Sequence, residues 1–305
     1  MKTATHYFLA FVAYFIWGLT FPFATIVMPP LSSYSFVFLR VLMGSIVLII
    51  FLGIKGEIKA WLLAFRTHFK ALFLFALGPF TLSYILQFYG LQFTSPINQS
   101  IIAQTSIIWV IILNYFFFKQ KPQLKFIFGI AIAIIGVLFL ITDDKFSFSA
   151  GKIKGDIISI VAFASWGAYS SFSKPIAEKM PQLYSIASVL VISSIILVSF
   201  AFGTGLATQI MVLSLGQWAI MVYLGVVCTG LAYVIQLVGI SGNEVKTEYV
   251  VYTGFIMPVV STVYSVLFLS KEFTVRMLIG GILVILSAVV VQNRKNGQKT
   301  MLISD

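Results

Sequence analysis

Of the 305 residues, 60% are hydrophobic and only 10% are charged, and mean hydropathy is +1.03. Soluble globular chains carry about 25% charged residues, so a water-soluble particle is excluded and the apolar excess reads as membrane spans. The net charge of +11 comes from basic residues scattered between apolar runs rather than massed on one patch, which argues against nucleic acid as a partner.

Taken in chain order, apolar runs bounded by Gly, Pro or charge fall at 7–27, 34–53, 69–91, 97–118, 123–141, 155–176, 183–203, 216–239, 248–269 and 274–292. Each is close to the roughly 20 residues that a spanning helix needs. The first run has no small-x-small cleavage signature after it and reads as a retained helix. The single cysteine, Cys228, lies inside a run, so no disulfide framework is available. Short connections such as 28–33 and 92–96 make consecutive helices antiparallel neighbours. Counted on alternate sides of these ten spans, Lys and Arg divide 14 to five, with Arg40 inside the second span. The positive-inside rule places the richer side in the cytoplasm, so both termini are expected inside.

The chain repeats itself. Ile16-Trp17-Gly18 and Ser165-Trp166-Gly167 stand 149 residues apart. The same offset aligns Tyr84, Gln87 and Gly90 with Tyr233, Gln236 and Gly239, while Pro30 and Tyr34 match Pro181 and Tyr184 within two residues. The expected organisation is a first five-helix repeat at 1–145, an extracytoplasmic linker at 146–154, a second five-helix repeat at 155–295 and a cytoplasmic tail at 296–305. An odd number of helices per repeat inverts the second relative to the first. The fold class is therefore an all-α membrane protein of ten transmembrane helices built as two inverted five-helix repeats. Secondary transporters often use this arrangement, with their site between the repeats near the bilayer midplane.

The residues also resemble a known family. Trp17-Gly18 followed by Phe21, then Phe38-Leu39-Arg40, are similar to the pattern of the drug/metabolite transporter superfamily, EamA type. So are Thr229-Gly230-Leu231-Ala232-Tyr233, Pro258, and Leu269-Ser270-Lys271-Glu272 ahead of Gly280-Gly281. The first repeat departs from the second, with Trp109 where the second has Pro258 and Lys121 where it has Glu272. The resemblance implies a ten-helix metabolite exporter of the cytoplasmic (inner) membrane, multi-pass, whose partners are a small-molecule substrate and the lipid bilayer.

No Gly-x-x-x-x-Gly-Lys-Ser/Thr loop is present, so ATP hydrolysis is not expected. His6 and His68 lie near span ends, apart from any acid or Cys that would complete a metal site. No enzyme activity, metal or cofactor is expected. Candidate binding residues are instead the polar and aromatic side chains inside spans: Trp17, Tyr84, Gln87, Asn98, Gln104, Trp166, Tyr169, Tyr233, Gln236, Tyr252 and Thr253. Amides cannot face lipid cheaply, so they either line a wet cavity or tie helices together. Tyr84 and Gln87 share one helix face, as do Thr229, Tyr233 and Gln236, and the repeat sets the two faces opposite each other.

The charged candidates are Arg40, Glu248 and Glu272. Arg40 either anchors structure, by snorkelling outward or meeting Glu272 or Asp144, or contacts a substrate carboxylate. All nine acids fall in loops, tails or span ends, with Glu244 and Glu248 nearest a midplane position, so no proton or sodium site is visible. The expected function is a secondary carrier of a neutral or zwitterionic metabolite, such as an amino acid or aromatic compound. It would work by alternating access, with export as the direction the resemblance implies. The alternatives are uptake of a nucleoside-like or amino-acid-derived metabolite, and a non-transporting membrane scaffold.

Overall fold

The computed structural model describes residues 3–119, 124–141, 150–172, 178–240 and 254–292. All regular structure among them is helical. The first half runs α1 (Thr3–Gly18), α2 (Thr20–Val27), α3 (Ser33–Ile54), α4 (Ile58–Thr67), α5 (Phe69–Phe75) and α6 (Thr81–Leu91), then α7 (Pro96–Ala103), α8 (Ser106–Phe118) and α9 (Leu124–Ile141). The second runs α10 (Ala150–Phe172), α11 (Gln182–Gly203), α12 (Leu206–Met211), α13 (Leu215–Val222), α14 (Ala232–Ile240), α15 (Ile256–Leu269) and α16 (Val275–Gln292). Two π-helical stretches, Ala76–Phe80 and Tyr223–Leu231, join α5 to α6 and α13 to α14.

Six continuous segments among the described residues are long and apolar enough to cross a bilayer: Ala4–Val27, Ser33–Ile54, Phe69–Leu91, Pro96–Phe118, Gln182–Gly203 and Leu215–Ile240. Ile256–Leu269 and Val275–Ser287 are shorter apolar helices. Large apolar side chains such as Ile50, Phe116, Phe117, Ile195 and Leu267 are exposed on the outside of the bundle, where lipid would cover them.

Local sequence sets the helix ends. Ser32 caps α3 by accepting the Ser35 N–H at 3.1 Å. Ser95 caps α7, with Pro96 in the first turn where its missing N–H costs nothing. Ser214 and Gln217 form a reciprocal capping box at the start of α13. The four positive-φ residues among the described residues fall in pairs: Gly56 and Gly205 at +70° and +85°, Lys119 and Ser270 at +54° and +50°. The members of these pairs stand 149 and 151 residues apart, so the backbone repeats its turns as the sequence repeats its residues.

Packing follows the same exchange. α1 lies against α14 and α15, and α10 lies against α6 and α8. α3 packs on the second π stretch, α11 on the first, and α3 and α11 meet each other through the core. Glycine permits the close crossings. A Cβ on Gly18 would sit 2.7 Å from Val260 Cβ, and one on Gly167 would sit 2.7 Å from Trp109 Cβ.

One element departs from the sequence reading. The connection between the second and third spans contains α4, an amphipathic helix with Lys59 and Arg66 exposed. Trp61 is turned inward, where its indole N–H donates to Ser188 Oγ at 3.0 Å. A helix with one basic and one apolar face suits the membrane surface. Just before it, Lys55 Nζ lies 2.8 Å from Glu57 Oε1, and that bond holds the Glu57 carboxyl below the usual carboxylate range.

A central cavity as the candidate functional site

A cavity of about 320 Å³ lies where the two halves meet. Its centre is marked by one contact: Tyr84 OH and Tyr233 OH are 3.1 Å apart. These residues occupy corresponding positions 149 apart in the sequence. Corresponding side chains of the two halves therefore meet at the cavity.

The walls repeat across it. Trp17 from α1 packs edge-on to Tyr233, with ring centroids 5.3 Å apart, and Trp166 from α10 packs against Tyr84 at 6.1 Å. The Trp17 indole N–H donates to the Cys228 carbonyl at 2.7 Å, which fixes its ring plane. Gln87 and Gln236 both reach the cavity. Gln87 Nε2 donates to Ser83 Oγ at 2.7 Å, and Gln236 Nε2 donates to Tyr14 OH at 3.4 Å. Gln104 also lines it, at the break between α7 and α8.

The remaining wall residues were not singled out from sequence. Tyr14 and Phe163 also stand 149 apart and both line the cavity, as do Thr20, Phe21, Ser106 and Met257. Tyr14 lies one turn before Trp17 on the same helix face, so its position carried a usable signal. Phe163 carried none, because an apolar side chain toward a cavity looks like one toward lipid.

Arg40 is in the wall and only 4% exposed. Arg40 is buried and does not reach outward to Glu272. Glu272 is exposed in the 270–274 connection, away from the cavity, and Asp144 lies outside the described residues. Instead, Arg40 Nε donates to Thr229 Oγ1 at 2.6 Å, and Thr229 Oγ1 donates in turn to the Leu224 carbonyl at 2.9 Å within the π stretch. The guanidinium carbon sits 5.4 Å from the Tyr84 ring centre and 5.2 Å from that of Phe88.

Two further candidates fall outside the cavity lining. Asn98 does not line the cavity; it is fully buried in the first turn of α7, within reach of the Asp156 carboxylate that Thr94 also bonds. Tyr169 is not in the cavity lining; its ring packs 5.3 Å from Trp166 and 5.1 Å from Phe80 by ring centres. Asp156, near the start of α10, is fully buried against the start of α7. Glu248, Tyr252 and Thr253 lie outside the described residues. No cluster of three potential metal ligands occurs among the described residues.

Comparison with known proteins agrees with this architecture. The EamA-like transporter family profile matches residues 4–142 and again 153–292. An uncharacterized transporter of Archaeoglobus fulgidus is 26% identical, covering 93% of this chain and 96% of its own length. Two uncharacterized transporters of Bacillus subtilis, YoaV and YvbV, are 22% and 24% identical over 88% and 98% of this chain, and over 90% and 94% of their own lengths. A solved crystal structure superposes with a TM-score of 0.64 at 18% identity, covering 93% of this chain and 94% of its own, which shows a shared fold. The family profile covers both halves and its members are transporters rather than enzymes, so this chain belongs to the EamA-like transporter family and is a multi-pass membrane protein that moves a small solute.

Proposed function

We propose that the protein is a secondary carrier of a small organic metabolite, working by alternating access around the central cavity. The observation that carries this reading is the Tyr84–Tyr233 contact, which brings corresponding side chains of the two halves together at the cavity. A site between inverted repeats is what rocking one half against the other would expose to each side in turn. In this reading the halves are 1–145 and 155–295, joined by the 146–154 linker, with both termini cytoplasmic as the Lys and Arg distribution indicates. The cavity is at the small end of the roughly 300–1,000 Å³ range of ligand pockets, which suits an amino acid or a single-ring compound. Its aromatic faces and three glutamine amides fit a body that is apolar with a few polar groups. Export is the direction we assign, in line with the family resemblance. No acid lines the cavity among the described residues, which favours facilitated diffusion or exchange over proton coupling.

Sided accessibility tests this. With Cys228 replaced by Ala, Gln104→Cys should react with a polar thiol reagent added from the outside of cells and, separately, to inverted vesicles. A scaffold whose amides tie helix to helix would leave Gln104→Cys unreactive from both sides.

A further inference from the structure

The cavity wall pairs aromatic and glutamine residues from the two halves, but its charge comes from one half alone. Trp17 and Trp166, Tyr84 and Tyr233, and Gln87 and Gln236 pair across it at a spacing of 149. Arg40 has no such counterpart. The register of Tyr34-Ser35 with Tyr184-Ser185 aligns Arg40 with Leu190, which is fully buried in the core and outside the cavity lining. One half therefore brings a fixed cation to the site and the other brings a hydrocarbon.

Among the described residues no acid neutralises Arg40. Its Nε is committed to Thr229 Oγ1, whose own proton goes to the Leu224 carbonyl, so the hydroxyl presents only lone pairs to the guanidinium. The Tyr84 and Phe88 rings hold the cation by their faces without cancelling its charge. Among the described residues Arg40 has no ion-pair partner and no further hydrogen bond. A buried cation without a counter-charge is costly, so an occupant that supplies the charge is favoured. The guanidinium matches a carboxylate in two parallel hydrogen bonds.

Resting on the carrier reading above, we infer that Arg40 is a specificity-determining residue that binds a carboxylate of the transported solute, and that the solute is a small monocarboxylate, zwitterionic amino acids included. Charge balance separates this from a phosphate-bearing solute. No second Lys or Arg lines the cavity among the described residues, so a dianion would be left half-compensated. An ammonium group would meet ring faces, amide oxygens and neutral hydroxyls such as Thr20 and Ser106, which tolerate it without demanding it. The lone cation also sets polarity, with the carboxylate toward α3 and the body against the indoles of Trp17 and Trp166.

The test is head-group selectivity in purified, detergent-solubilised protein, read by indole fluorescence and thermal shift. The probes share one of three bodies (phenyl, isobutyl or methyl) and carry a carboxylate, a carboxamide or an amine, with phenylalanine, leucine and alanine as zwitterions. At least one carboxylate or zwitterion should bind at least tenfold more tightly than its amide and amine counterparts. Arg40→Gln should remove that preference, and Arg40→Lys should retain part of it. The wild-type selectivity is decisive by itself if Arg40→Gln does not fold. Equal binding of amides or amines, selectivity that survives in folded Arg40→Gln, or no carboxylate binding across the panel would overturn the inference. Selective binding without any transport would instead leave the anion site standing and remove the carrier reading.

Discussion

Gln87 and Gln236 show how little a polar side chain inside a membrane can be spared. Among the described residues each makes one side-chain hydrogen bond, to Ser83 and to Tyr14, and both line the cavity. Gln87→Leu and Gln236→Leu should each cut transport about tenfold while folded protein in the membrane stays unchanged, since a solute polar group left unpaired costs about 1–3 kcal/mol. Matched loss of folded protein in both variants would make them helix ties instead. Tyr84 and Tyr233 offer a sharper test, because their hydroxyls serve each other. Tyr84→Phe and Tyr233→Phe should each lower thermal stability by leaving one buried hydroxyl alone, about 1–3 kcal/mol. The double variant should cost less than the sum, and strict additivity would mean that the two hydroxyls do not interact. Sequence made these four residues legible through their common spacing. Asn98 misled because an amide in a span was taken as a cavity candidate, whereas the first turn of α7 turns it toward Asp156.

At the scale of elements, six of the expected spans were readable because a bilayer demands a fixed apolar length, and 183–203 and 216–239 fall within a residue of Gln182–Gly203 and Leu215–Ile240. Facing was not. These helices are apolar all round, so periodicity does not distinguish a side chain toward lipid from one toward the core or the cavity, as with Phe21 and Phe163. The π stretches were also invisible. Pro79, which lacks an N–H, sits inside Ala76–Phe80, but Tyr223–Leu231 forms without any proline. That second stretch matters most, since it supplies the Leu224 carbonyl that orients Thr229 toward Arg40. Helix crossings are testable through glycine. Gly18→Ala places a Cβ 2.7 Å from Val260 Cβ, which should destabilise the protein by about 1–3 kcal/mol through overpacking. Gly53→Ala meets nothing within 4 Å and should be neutral in the same thermal assay, and equal effects would show that contact at Gly18 is not the cause.

For the whole molecule, charge distribution makes a topology that can be checked directly. In a background lacking Cys228, an impermeant thiol reagent added to intact cells should label Ser149→Cys and spare Lys121→Cys; the reverse pattern would invert the orientation. Coupling is the second question at this scale. With no acid in the cavity wall among the described residues, collapsing the pH gradient should leave exchange unchanged, and Glu244→Gln and Glu248→Gln should retain it. Uphill transport that follows the pH gradient would contradict this, and Asp156, fully buried beside Thr94, would then be the first acid to neutralise.

The most direct measurement is counterflow in proteoliposomes. Vesicles holding purified protein are loaded with unlabelled amino acids, amines or nucleosides one at a time, then diluted into trace labelled solute. A carrier with a single alternating site predicts a transient overshoot of label for at least one carboxylate-bearing solute, reduced about tenfold in Gln87→Leu. Absence of any overshoot across the panel, from protein that remains folded and binds ligand, would contradict transport through this cavity.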